Sequence, residues 1–348
     1  MKMEPIKKFV EHKSPQTQKT YTWILQEYHY ELDANPETYF DNGRDYQQDV
    51  KNWWRNRINE VPKTRLTKMS AVKNYLEEYG LEFSNRFWKK LRDMKKGHRA
   101  VTLDRTPKYD EFKRILQLGT VKDRALFLFA VSSGARIGEI LKLEMDDIDL
   151  NHNPPKVTIP ANITKTGDSR ITFITPEAKE HLLLWLKERD RWLEIAYKNP
   201  NKRNELKSGK KDNRIFPFSY NLAWTRWLTL IKKAGLKQKD KVTGHYTLHI
   251  HVLRKFFLSQ LKLDIPYSIA EALSGHEEYL DEAYRKYTHE QLAEFYKQGM
   301  SRLTILQGEH PDLTEHNQRI TQLEKENIEL KEQLDKLIRK LAIDNWTK

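Results

Sequence analysis

The chain has 348 residues, a formal net charge of +13 and no cysteine. Its length favours two or three domains, and the missing thiols exclude disulfides, thiolate zinc sites and cysteine nucleophiles. No apolar run reaches the length of about eighteen residues that a transmembrane helix needs, and a positive excess spread along the whole chain points to an anionic partner, nucleic acid or membrane surface.

The N-terminus, "MKMEPIKKFVEH", lacks the apolar core of a secretory signal, so a cytoplasmic, DNA-facing protein is expected. Short helices follow. "SPQTQKTYTWILQEYHYEL" opens with the Ser14-Pro15 helix start and sets Tyr21, Ile24, Leu25 and Tyr28 on one face. Further helical patterns cover Val50–Ile58 and Leu66–Tyr79, and Phe87, Trp88 and Leu91 mark one more. Lys63, Arg65, Lys68 and Lys73 lie between the apolar positions and read as either solvated surface or phosphate contacts. Residues 1–95 are thus expected to form a helical domain, with an interdomain linker at 96–105.

Thr106-Pro107 signals a new helix over Tyr109–Leu118, and a second domain, 106–305, then opens with the apolar helix "ALFLFAVSSGARIGEILKL". Two β-like runs, "KVTIPA" and "RITFIT", flank "NITKTGDS" and predict a hairpin or small sheet with Lys165 near its tip. Helices resume over Glu177–Tyr197 and Tyr220–Ala234, separated by the basic loop "KNPNKRNELKSGKKDNR". The expected fold class is mainly α with a small β-sheet. In the tail, Ile320, Leu323, Asn327, Leu330, Leu334, Leu337 and Leu341 recur in steps of three and four. This is a heptad seam with a register-fixing Asn327, and a C-terminal coiled-coil helix over 313–345 is expected to pair two copies. Packing of that helix on its own domain is the alternative.

Arg136 follows Gly134-Ala135 at a helix start, and Arg254 follows His251 by three residues, which puts both of the latter on one helical side. Gly275-His276 comes next, and then Tyr279, Tyr284, Tyr287 and Tyr296. Taken singly these fragments are weak. In the order Arg136 in "ARIGE", Lys165 in "KTG", His251 and Arg254 in "HVLRKFF", then His276 and a tyrosine in "LSGHEEYLDEAY", the series resembles the tyrosine recombinase (phage integrase) family, most of all its archaeal integrases. The likeness covers the second domain. The first is similar to the family's core-binding domain by pattern only, and the coiled-coil tail is not a standard family part.

The resemblance implies a site-specific recombinase that cleaves and rejoins DNA through a 3′-phosphotyrosyl intermediate, with no cofactor and no metal. The chemistry suits the residues. Arg136 and Arg254 are fitted to bidentate contact with phosphoryl oxygens. A phenol, with a pKa near ~10, needs nearby positive charge and a proton acceptor, for which His251 is placed. The family's hairpin lysine protonates the leaving 5′ oxygen, which points to Lys165. His276 would then hydrogen-bond the phosphate or orient the pocket, and Glu139 would anchor the Arg136 loop.

By the family's spacing Tyr279 lies too close behind His276 for a nucleophile, and Tyr296 falls where the archaeal members carry a second, structural tyrosine, so it reads as packing. Tyr284 has the family spacing and the archaeal "LDxxY" wording and is the expected nucleophile, with Tyr287 in "YTH" as its rival. The implied partners are a double-stranded DNA attachment site and further copies of the chain, a dimer through the coiled coil and a tetramer at synapsis. Integration or excision of a viral, plasmid or other mobile element is the implied setting. A type IB-like topoisomerase and a non-catalytic DNA-binding regulator of the same fold are the alternatives.

Overall fold

Ser14, Asp45 and Ser84 each turn a side-chain oxygen onto the backbone N–H three residues on, and each opens a helix. In the computed structural model, which describes residues 3–41, 43–94, 103–165, 167–198, 212–276 and 286–307, these are α2 (Pro15–Glu31), α3 (Tyr46–Arg55) and α5 (Asn85–Asp93). With α1 (Glu4–Val10) and α4 (Pro62–Glu78) they build the first of two units, Met1–Leu103 together with Lys239–His245. Its core is rich in rings: Tyr28, Tyr39, Trp53, Trp54 and Tyr75 are all buried, and the Tyr28 and Tyr39 hydroxyls bond each other at 2.8 Å.

Two lysine-or-arginine positions read as a basic face turn inward instead. Arg65 and Lys68 are buried, along with Arg57. Lys68 Nζ meets Glu27 and Glu60, both at 2.8 Å, and Arg57 Nη2 meets Glu31 at 2.5 Å and Glu27 at 3.2 Å. These carboxylates offset the desolvation of Arg57 and Lys68, and Arg65 Nη1 donates to Ile58 O at 3.2 Å, so all three are turned away from a phosphate outside. Lys63 stays exposed, and Lys73 pairs with Glu77 at 3.5 Å.

The second unit is Asp104–Gln238 with Tyr246–Lys348. Its helices are α6 (Tyr109–Gln117), α7 (Val121–Ser133), α8 (Ile137–Ile140), α9 (Pro176–Lys198), α10 (Tyr220–Lys233), α11 (Val252–Leu261), α12 (Tyr267–Ser274) and α13 (His289–Gly299). Helix α7 is buried from Ala125 to Ser133 and packs against α6, α9 and α11, as expected of a helix apolar on every side. The apolar run does not continue as one helix. It ends at Gly134, whose φ of +62° is the left-handed cap conformation, and only glycine fits there because a Cβ would collide with the Phe257 ring of α11.

The expected two strands are present as β2 (Lys156–Ile159) and β3 (Arg170–Phe173), antiparallel in the register Val157 opposite Thr172 and Ile159 opposite Arg170. A third, β1 (Ile148–Asp149), joins β2 to give the order β1-β2-β3. Two residues are too short for alternation to reveal. Further on, the buried Glu177 carboxylate accepts from the backbone N–H groups of Ile305, Leu306 and Gln307 at 2.7–2.8 Å, tying the chain after α13 to the start of α9. Asp104 and Arg105, the last residues of the expected linker, are bonded inside this unit: Arg105 N–H donates to Thr247 O at 3.1 Å. Residues 95–102, residues 199–211 of the basic loop and the heptad seam of 313–345 lie outside the described residues. Among the described residues no helix is long and apolar enough to cross a membrane.

Candidate active site

The turn at Gly134 releases the chain from α7 and presents Arg136 as the N-cap of α8. Glu139, one turn on, accepts from the Arg136 backbone N–H at 3.0 Å and from its Nη1 at 2.9 Å. The same carboxylate receives Arg170, the first residue of β3, at 2.5 Å. Glu139 and Arg170 are both buried. Burial alone would raise the Glu139 pKa, but the hydrogen bond and charge of Arg170, with those of Arg136, hold the carboxyl below its usual range. It is therefore the fixed negative centre between two guanidiniums.

Arg254 projects from the first turn of α11. Its Nη1 donates to Gly134 O at 3.0 Å and also to Ser274 O, so it joins the end of α7 to the end of α12. Its Nη2 is buried and has no acceptor among the described residues. Burial first, then repulsion from Arg136 and Arg170, pushes its pKa down to about 10 against the opposing pull of Glu139 and Glu271. It stays charged at neutral pH but is poorly compensated, and such an N–H calls for an anionic acceptor.

Helix α12 stops at Gly275, with φ +88°, where a Cβ would collide with the Arg170 guanidinium. Arg136 Nη2 reaches Gly275 O at 3.4 Å. His276 follows directly and hydrogen-bonds Glu271 through Nδ1. Arg136 and Arg254 are thus brought together by one set of main-chain carbonyls, those of Gly134, Ser274 and Gly275, and His276 follows directly on the last of them.

His251 sits at the N-cap of α11 and its Nε2 lies 3.3 Å from the Tyr220 hydroxyl. Desolvation, then the charges of His249, Arg254, Arg136 and Lys255, lower its pKa below the usual histidine range. A neutral imidazole at physiological pH is a proton acceptor. Beside it, Asp104 Oδ2 takes hydrogen bonds from His249 at 2.8 Å and Lys255 at 2.5 Å.

Other sequence candidates are placed differently. Lys165 is exposed on the connection between β2 and β3, and no hydrogen bond or ion pair fastens it to another described residue. Tyr284 and Tyr279 lie outside the described residues. Tyr287 packs edge-to-face on Phe295, with centroids 5.2 Å apart. Tyr296 is fully buried and donates to Ser132 O at 2.8 Å, and burial lifts its pKa well above the usual phenol value. Three site residues escaped the sequence reading in these roles: Arg170, Glu271 and Tyr220. Glu271 carried a signal, as the lone carboxylate inside the apolar helix "YSIAEALS"; Arg170 and Tyr220 carried none beyond residue type. Among the described residues no group of acidic and histidine side chains is placed to hold a metal ion.

A family model described as the phage integrase family matches residues 108–294. The tyrosine recombinase XerA of Saccharolobus solfataricus is 28% identical over 158 residues, which make up 45% of this chain and 43% of that protein, so the match spans under half the length of this curated relative. Among solved structures, a lambda integrase dimer bound to a COC′ core site superposes with a TM-score of 0.54 at 16% identity, covering 80% of this chain and 96% of that one. The Tn1549 transposon integrase in complex with transposon right end DNA gives 0.55 at 16% identity, covering 82% and 94%. At such identities these likenesses establish the fold.

Glu139 generates a pH prediction. A carboxyl whose folded pKa is depressed contributes stability above its ordinary value and loses it as pH falls through the folded value. Glu139→Gln is therefore expected to cost about 3 kcal/mol at pH 7, as for a broken buried pair. The gap to the wild type should narrow below about pH 4.5. Urea midpoints at both pH values check this, and a gap that stays constant counts against the bridging role.

Proposed function

The chain belongs to the phage integrase family, and on that premise we propose that it is a site-specific recombinase that cuts and rejoins DNA through a 3′-phosphotyrosyl intermediate. The observation that carries this reading is the under-compensated Arg254, with its unpaired buried Nη2, beside Arg136 and His276. Two guanidiniums and an imidazole around one point match the charge that builds on the non-bridging oxygens of an attacked phosphodiester.

In the proposed reaction the Tyr284 phenolic oxygen attacks phosphorus and its proton passes to His251. The bond from phosphorus to the 5′ oxygen breaks, and Lys165 delivers a proton to that departing oxygen, which leaves as the 5′ hydroxyl. An exposed lysine on a loop is free to follow the DNA strand. The phosphotyrosyl ester conserves the bond energy, so a 5′ hydroxyl from another strand reverses the step without an external energy source. Arg136, Arg254 and His276 hold the phosphoryl oxygens; Glu139, itself bonded by Arg170, holds Arg136.

The partner is a double-stranded DNA attachment site, gripped by the helical domain of residues 1–95 and the catalytic domain of 106–305. Solved relatives of like fold are described as a dimer on a core site and as a tetramer on a Holliday junction, and a dimer paired through the 313–345 seam, with a tetramer at synapsis, is proposed here. Movement of a viral or plasmid element is the proposed setting, in the DNA-associated cytoplasm.

A nicked suicide duplex carrying the attachment site tests the reaction. The wild type should leave a denaturant-resistant protein–DNA adduct, Tyr284→Phe none, and Tyr287→Phe an adduct of wild-type yield. No adduct from the wild type on its cognate site rejects the enzyme reading. An adduct lost in Tyr287→Phe but kept in Tyr284→Phe transfers the nucleophile to Tyr287. Truncation after Asp312 should lower the sedimentation coefficient of the free protein, and an unchanged assembly state rejects pairing through the seam.

A further inference from the structure

Glu271 is 3% exposed, on a helix whose neighbouring Ile269, Ala270, Ala272 and Leu273 are buried and apolar. The reaction proposed above gives it no duty, yet an ionised carboxylate in such a setting persists only with partners. It has them on two sides. Lys262, at the end of α11, bonds Oε1, and His276 Nδ1 bonds Oε2. Burial opposes its charge, but the hydrogen bonds of Lys262, His276 and Tyr267 prevail and hold the carboxyl below its usual range.

An ionised carboxylate only accepts. Nδ1 of His276 must therefore carry the proton that bonds Oε2, and Nε2 is the nitrogen left for a ligand. A neutral ring with its proton on Nδ1 offers a lone pair at Nε2, which cannot donate to a phosphoryl oxygen. Only the imidazolium carries N–H on both nitrogens.

We propose that Glu271 is a positioning residue that obliges His276 to meet the scissile phosphate as an imidazolium, donating from Nε2 while Glu271 holds Nδ1. This rests on the recombinase reading of the site. Glu271 with Lys262 and Tyr267 stands behind the ring. Around the same turn, Arg254 bonds Ser274 O, Arg136 bonds Gly275 O, Arg170 packs over Gly275, and Glu139 lies between Arg136 and Arg170. No proton leaves His276 in the reaction; the ring acts as a charged, oriented donor.

Glu271→Gln tests the assignment because its outcome is set by Lys262. The lysine requires an acceptor, so it keeps the amide oxygen and turns the amide N–H₂ toward His276 Nδ1. The neutral ring then carries its proton on Nε2 and donates without being charged. Adduct formation on a nicked attachment-site duplex is followed between about pH 5.5 and 9 for wild type, Glu271→Gln and Glu271→Ala. The wild-type rate should fall relative to Glu271→Gln by at least tenfold across the alkaline half of the range, and Glu271→Ala should be slow throughout. Parallel profiles for wild type and Glu271→Gln overturn the proposal.

A second readout does not depend on activity. In the full chain with ¹⁵N-labelled histidine, the His276 resonance, assigned by its loss in His276→Gln, should show the Nδ1–H tautomer at high pH and switch to Nε2–H in Glu271→Gln. An Nε2–H tautomer in the wild type overturns the proposal. Should the wild type form no adduct at any pH, the recombinase reading fails, while the tautomer still decides what Glu271 does to His276.

Discussion

Three guanidiniums, those of Arg136, Arg170 and Arg254, are gathered in one small region against their mutual repulsion, and the rest of the site follows from how that repulsion is contained. Glu139 neutralises one positive charge while touching two of the three groups. Arg254 has only main-chain carbonyls and is left with a buried Nη2 unpaired among the described residues. Burial first, and then repulsion from Arg136 and Arg170, lowers its pKa to about 10. An anion bound there relieves repulsion already present in the folded protein, so little reorganisation is needed when charge develops.

Backbone geometry makes the gathering possible. Gly134 and Gly275 both adopt left-handed conformations, and each lies where a Cβ would strike a neighbour, Phe257 in one case and Arg170 in the other. The ends of α7 and α12 can therefore approach α11 and β3 closely enough for Arg254 to bond carbonyls on both sides. Helix α7, buried from Ala125 to Ser133, supplies the rigid base, and Tyr296, bonded to Ser132 O, pins α13 to its end. Chemistry at the surface is thus fastened to the most buried helix of the unit.

Much of this was legible in the sequence, for reasons that differ by element. Ser14-Pro15, the alternating "KVTI" and "RITF" and the order of Arg136, His251, Arg254 and His276 are local signals, and local signals suffice for caps, strands and motif spacing. The inward turn of Arg65 and Lys68 was not legible, because Lys68 is met by Glu27 on another helix and by Glu60, and Arg65 by the Ile58 carbonyl and the Trp54 ring. Gly134 before a new helix start was a local signal of the break, but the close approach of the Phe257 ring to it was hidden, since that ring comes from α11, distant in sequence. Arg170 read as one more charge near a hairpin, and only the sheet register places it on Glu139. The partner of His276 is nearest to a lesson: a lone glutamate in an apolar helix marks a buried bond to something, though the sequence does not say to what.

The central claim is that Arg254 serves the negative charge of the phosphate. The measurement that tests it most directly compares cleavage of the natural nicked site with that of a site whose scissile phosphate is a neutral methylphosphonate, for wild type and Arg254→Ala. Removing one fixed donor to developing charge costs roughly 3 kcal/mol, or about a hundredfold in rate. Arg254→Ala should show a loss of this order on the phosphate and at least tenfold less on the methylphosphonate. An equal loss on both substrates would contradict the claim and leave Arg254 as a structural tie between α7 and α12.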